Sequence, residues 1–144
     1  MLSARLIREA VEADLARLTA TLRPPAVLDA MRAEIALQHQ ADRAGHVDEF
    51  IESDDRFHRL LAIGAGHEAV WNDLERLKSQ MNRLRHMSMR AFDRVRTIAQ
   101  HQDILDAIGQ GDADAAEGAA RRHLHQMLTE LPQMAARHPE YFTE

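Results

Sequence analysis

Of the 9 His and 23 Asp and Glu in this 144-residue sequence, all of types that bind metal ions, four stand together as candidates because a helix would bury each of them. Asp54 and His58 are four residues apart, so on a helix they lie one above the other on a single face. Ile51, Phe57, Leu61 and Ala62 mark that same face as the apolar one. A buried carboxylate without a partner is costly, so an inward Asp54 needs a cation. His101 stands in the stripe formed by Ile98, Leu105 and Ile108, and His123 lies between Ala120 and Met127. Three helices therefore each aim an imidazole at a shared interior, and one adds a carboxylate. Such a set suits a borderline divalent ion, zinc first, with nickel, manganese or iron(II) also fitting, rather than calcium or magnesium. Four protein ligands complete a tetrahedral zinc sphere or leave one or two open positions on a larger one, where a ligand carboxylate can bind.

The plainer reading of an inward histidine is a hydrogen-bonded core residue, and Asp54 with His58 could be a surface ion pair worth a few tenths of a kcal/mol. Neither explains why acid and imidazoles recur inside apolar stripes. The absence of Cys removes thiolate sites, disulfides and Cys nucleophiles together. His39, His46, His67, His86, His125 and His138 are read as surface or loop residues. His125 points about 160° away from His123 on an ideal helix, so only one of the two faces the core. Among the basic residues Arg76, Lys78, Arg83, Arg85 and Arg90, the first two are read as solvated. Arg83 and Arg85 point to different sides, and whichever faces inward would hold a ligand carboxylate by a bidentate contact.

The positioning elements are helices. The chain is 45% hydrophobic and 28% charged but only 4% aromatic, with 6 Gly and 4 Pro, so its core must be built from Leu, Ile, Met and Ala. Its length suits one domain. A net charge of −5 argues against nucleic-acid binding by the whole surface. No stretch is long and apolar enough to span a membrane and no signal peptide is visible, so a cytoplasmic protein is expected. Periodicity predicts an all-α, single antiparallel bundle of about six helices. The first covers about 3–22, with Leu6, Ala10, Ala13, Leu15, Leu18 and Leu22 inward, and Pro24-Pro25 ends it. The second runs to about Ala44, with Gly45 as its cap. A third runs from Val47 to Gly64-Ala65-Gly66. The fourth, about 67–90, is the longest, with Val70, Leu74, Leu77, Met81, Leu84 and Met87 inward. The fifth runs from Asp93 to Gly111. Asp112 caps the sixth, whose inner face carries Ala116, Ala120, Met127 and Leu131. The core spans about 2–132, and 133–144 reads as a fraying tail.

Together these residues resemble the FCD domain, the effector-binding domain of the FadR subfamily of GntR-type bacterial transcription regulators. Residues 54–61, Asp54-Asp55-Arg56-Phe57-His58-Arg59-Leu60-Leu61, are similar to the family's D-x-x-F-H-x-x-L. Residues 100–108, opening with Gln100-His101, are similar to its E-H-x-x-I-L-x-A-I, and Gly111-Asp112, Ala116 and His123-Leu124 follow its G-D-x-x-x-A…H-L. The resemblance implies a buried metal held by Asp54, His58, His101 and His123, with a small organic acid seated against it beside Arg83 or Arg85. It implies a sensor rather than an enzyme, contacting DNA only through a separate winged helix-turn-helix domain that this sequence lacks; a homodimer is compatible with it. Two departures stand out. Gln100 replaces a Glu at a position flanking a ligand, where little effect is expected, and Gly66-His67 replaces Gly-Asn, where the pocket rim is expected to change. The rival readings are a metal-dependent hydrolase, for which no second inward carboxylate is evident, and a metal-free helical dimerisation domain.

Overall fold

The computed structural model describes residues 2–91 and 93–141, less the side chains of residues 2, 127, 128, 131 and 141. Among them are seven α-helices and a terminal 3₁₀ turn: α1 (Leu2–Leu22), α2 (Pro25–Ala44), α3 (Val47–Gly64), α4 (Glu68–Ser79), α5 (Asn82–Ala91), α6 (Arg94–Gly109), α7 (Ala113–Arg137) and the turn Pro139–Tyr141. The connections between successive helices are short, as in a helical bundle. Packing closes a ring in the order α1, α3, α2, α6, α7 and back to α1, while α4 and α5 lie against α3.

Local chemistry sets the ends. Arg23 takes up a left-handed φ of 48° ahead of Pro24, whose ring disfavours a helical residue before it, and α2 starts with Pro25 in its first turn. Gly45, at φ 72°, closes α2 as the sequence indicated, and His46 N–H reaches back to Ala41 O at 2.9 Å. Asp93 and Asp112 cap α6 and α7 by accepting from Val95 N and Ala115 N.

The six-helix expectation fails at two places. The long fourth helix is two helices, broken at Gln80-Met81, where Gln80 N and Met81 N bond three residues back to Leu77 O and Lys78 O. No Gly or Pro marks the break; Met81 is buried there to 1% exposure, and its burial holds the turn. The tail after Leu131 is also wrong: α7 carries Pro132 inside it and continues to Arg137, which makes it the longest helix. An internal proline costs about 3 kcal/mol, and the buried Met134 beyond it offsets that cost.

Two inward faces are rotated from their expected positions. On α1, Leu6 and Leu22 are each 60% exposed, and Ala10 is exposed as well, whereas Arg8, Glu12 and Thr19 are buried with Ala13, Leu15 and Ala16. On α4 and α5 the buried set is Trp71, Leu74, Lys78, Met81, Leu84 and Arg85, with Val70, Leu77 and Met87 only half-buried. Lys78, expected in solvent, is buried because its ammonium lies 2.8 Å from Asp55 and 4.6 Å from the Trp71 ring centre. The α3 and α6 stripes stand as read, and on α7 Ala116 and Ala120 do too; Met127 and Leu131 lie outside the described side chains.

α1 and α3 meet at Gly64, where an added Cβ would lie 2.6 Å from Thr19 Cγ2 and 3.1 Å from Val27 Cγ1. Gly64→Ala is expected to destabilise the fold by about 1–2 kcal/mol, the overpacking penalty less the gain in helix propensity. A lower urea midpoint would register it. Adding Thr19→Ser, which removes the clashing methyl, should recover most of the loss.

Candidate metal centre and pocket

α3 supplies Asp54 and His58, α6 supplies His101 and α7 supplies His123, and one ligand atom from each lies within 4.8 Å of all the others. The short separations run round a ring. Asp54 Oδ1 is 3.4 Å from His58 Nε2 and 3.1 Å from His101 Nε2, and His123 Nε2 is 3.1 Å from His101 Nε2 and 3.2 Å from His58 Nε2. Donors about 2.1 Å from one ion stand about 3.0 Å apart at a right angle and about 3.4 Å apart at the tetrahedral angle. The ring therefore fits a transition-metal sphere. His125, the competitor on the same helix, is 57% exposed and bonds Glu9 instead.

Each imidazole is oriented through its other nitrogen. His58 Nδ1 donates to Glu12 Oε1 at 2.6 Å, His101 Nδ1 to Gln38 Oε1 at 2.7 Å and His123 Nδ1 to Gln100 Oε1 at 2.8 Å. With the proton on Nδ1, each neutral ring presents a bare lone pair at Nε2. Three lone pairs and a carboxylate oxygen then face one another at contact distance, an arrangement that repels unless a cation sits among them. Phe57, stacked on His101 with ring centres 4.4 Å apart, completes the dry wall.

Electrostatics within the cluster are divided. Burial opposes the charge on Asp54, but the neighbouring His58 and Arg85 hold its carboxyl well below the ordinary range. Burial likewise opposes ionisation of Glu12, and the neighbouring Arg8 and His58 overcome it and bring that carboxyl down to about 2. His58 is raised because Glu12 and Asp54 outweigh its burial. Burial lowers His101 despite Asp54, and His123 is pushed well down by burial and then by the charges of His101 and His58. The centre therefore favours cationic charge near His58 and neutral rings at His101 and His123.

Of the two arginines left open by the sequence, Arg85 is the inward one and Arg83 is exposed. Arg85 Nη2 donates to Asp54 Oδ2 at 2.6 Å and to Asp55 Oδ1 at 2.7 Å. Asp55 is thus engaged by both Arg85 and Lys78, and Asp103 is exposed, so neither stands as a free base beside the ring. A cavity of about 60 Å³ opens over the cluster, lined by Asp54, His58, Arg85, His123, Arg5 and Arg8 together with Met81, Met89, Leu124 and Glu130 among others. It holds roughly five water-sized positions, the scale of a small organic acid.

Several of these residues escaped the sequence reading. Arg8 and Glu12 form a buried pair four residues apart on α1; their signal was a set of small residues, Ala4, Ala13 and Ala16, around a charged pair. Gln100 has more consequence than expected, because it holds His123. Gly66-His67 has less, since it lies at the exposed turn into α4 and neither residue lines the cavity.

The FCD domain family matches residues 5–126, and the chain belongs to that family. It is 32% identical over 142 residues to the HTH-type transcriptional repressor RspR of Escherichia coli K12, covering 96% of this chain and 61% of that protein. It is 33% identical over 141 residues to an HTH-type transcriptional regulator in an unstable DNA locus of Streptomyces ambofaciens, covering 96% of this chain and 58% of the other. The chain thus spans about three-fifths of the length of these relatives. Its fold is similar to that of E. coli McbR/YncC, with a TM-score of 0.80 over 91% of this chain and 63% of that one at 17% identity. No helix among the described residues is long and apolar enough to cross a membrane.

Proposed function

We propose that this domain senses a small organic acid bound beside a divalent transition metal, zinc first, held by Asp54, His58, His101 and His123. The observation that carries the reading is the orientation of the three imidazoles, each tied at Nδ1 to a side-chain oxygen so that the Nε2 lone pairs converge on Asp54 Oδ1. Glu12, Gln38 and Gln100 do for these rings what outer carboxylates and amides do in metal sites generally: they fix tautomer and direction.

The effector's carboxylate would take an open metal position with one oxygen and Arg85 with the other. To do so it competes with Asp54 and Asp55 for the guanidinium. Arg85 lies on α5, just past the break at Gln80-Met81, so a change in its partners acts on a short helix joined to α4 by a turn. Binding can shift that packing only to the extent that the acid binds one arrangement better. In the relatives, named as HTH-type regulators, a shift of this kind would reach DNA through a separate domain, and the same is proposed here. Asp55 is committed to two cations and Asp103 is exposed, so neither of the two acids named for the hydrolase reading stands free beside the ring.

Titration with acetate and lactate tests the site. Metal-loaded protein is expected to bind such acids, with Arg85→Met weakening them by about 10- to 100-fold, the loss of a charge-assisted bond. Chelator-treated protein that bound them equally well would remove the metal from the effector site.

A further inference from the structure

The four buried carboxylates among the described residues are not treated alike. Glu9 is paired with Arg5 and Arg121, Glu12 with Arg8, and Asp54 with Arg85. Glu130, only 5% exposed, has no ion pair among the described residues. Its partners are neutral: Ser88 Oγ donates to Oε2 and Gln126 Nε2 donates to Oε1, both at 2.5 Å. A carboxylate offers about four acceptor sites, so these two bonds leave roughly half of its capacity unused. Burying such a group without a counter-charge is expensive, and Glu130 faces the same cavity that Asp54, His58, Arg85 and His123 line.

Position strengthens the point. Glu130 follows His123 by seven residues, two turns along α7, so both side chains leave the helix on one face about 10 Å apart along its axis. One end of the cavity then offers the ligand ring and Arg85, and the other offers an acid lacking its cation. Met81, Met89 and Leu124 also line the cavity, as do Arg5 and Arg8, which are paired with Glu9 and Glu12. A molecule that satisfied both ends would be short, with an anion at one end, a few carbons between, and a cation at the other.

We propose that Glu130 sets the specificity of the pocket and that the effector is a small zwitterion, an amino acid whose carboxylate sits at the metal end and whose ammonium sits on Glu130. This rests on the carboxylate-sensor reading above and narrows it. A hydroxyl would leave the buried charge uncompensated, since a charge-assisted bond is about twice as strong as a neutral one. A dicarboxylate would set its second anion against Glu130.

Calorimetric titration of the metal-loaded chain with matched acids decides the matter. The sets are alanine, lactate and propionate, and 4-aminobutyrate, 4-hydroxybutyrate and butyrate, with succinate added. In at least one set the amino member is expected to bind about tenfold or more tightly than its two analogues, and succinate to bind weakly. In Glu130→Gln the preference should shrink to within about threefold. That ratio is internal to one protein sample, so partial loss of folded material does not alter it. Acids that bind without an amino preference, or a preference that survives Glu130→Gln, would overturn the role of Glu130 and leave the carboxylate sensor standing. Failure of every acid to bind metal-loaded protein would instead overturn the sensor reading, and this proposal with it.

Discussion

His101→Ala protein is expected to purify with little bound metal and to show a thermal midpoint that a chelator no longer changes. The expectation follows from position. His101 is fully buried, its Nε2 stands 3.1 Å from both Asp54 Oδ1 and His123 Nε2, and it shares an edge of the donor ring with each. Removing it opens two of the four short edges at once. A metal that binds only the folded protein stabilises it by RT ln(1 + [L]/Kd), about 4 kcal/mol at a thousandfold excess over Kd. For a domain of this size that is roughly 10 °C of midpoint. Wild-type protein should lose about that much on chelation, and the variant should not respond. The comparison separates the metal from ordinary packing, because the cavity left by the imidazole lowers the variant's midpoint equally with and without chelator. If wild-type protein, loaded with zinc, nickel or manganese, melted at the same temperature in chelator, the converging lone pairs would have to be reconciled by a proton on His58. The dimerisation reading, in which His101→Leu is tolerated, would then gain.

Legibility in the sequence followed the way each charge is buried. The stripes of α3 and α6 were readable because their polar members are few and their apolar members, from Ile51 to Ala62 and from Ile98 to Ile108, keep helical spacing. An acid or histidine inside such a stripe is conspicuous. On α1 and α4 the reading went astray for one reason: it followed apolar residues and set charges aside as solvated. Arg8 with Glu12, and Lys78 with Asp55 and Trp71, are buried because each charge meets its compensation, and that compensation comes partly from residues far away in the chain. The choice between Arg83 and Arg85 was open for the same reason, since it depends on where Asp54 and Asp55 lie across the α3–α5 contact. Gln38 carried no signal at all. It is one polar residue on α2, 63 positions from the histidine it orients.

Glu12 is where that long-range pairing bears most on the centre, and Glu12→Ala is expected to cost about 3–5 kcal/mol, comparable to removing one partner of any buried ion pair. The carboxylate holds two groups at once: the Arg8 guanidinium on its own helix and the His58 Nδ1–H across the α1–α3 contact, 2.6 Å away. Its loss leaves Arg8 as a buried cation without its acid and lets the His58 ring turn or change tautomer. Metal affinity should fall by about 10- to 100-fold, the usual effect of deleting an outer-sphere carboxylate from a ligating histidine. Glu12→Gln divides the two roles. An amide oxygen can still accept from His58 Nδ1, so metal affinity should recover most of the loss, while Arg8 remains without an anion and the urea midpoint stays low. Chemical denaturation in the presence of chelator, set beside competitive metal titration of both variants, reads the two effects apart. Equal metal affinity in Glu12→Ala and wild type would mean that His58 needs no outer partner, and that the contact serves Arg8 alone.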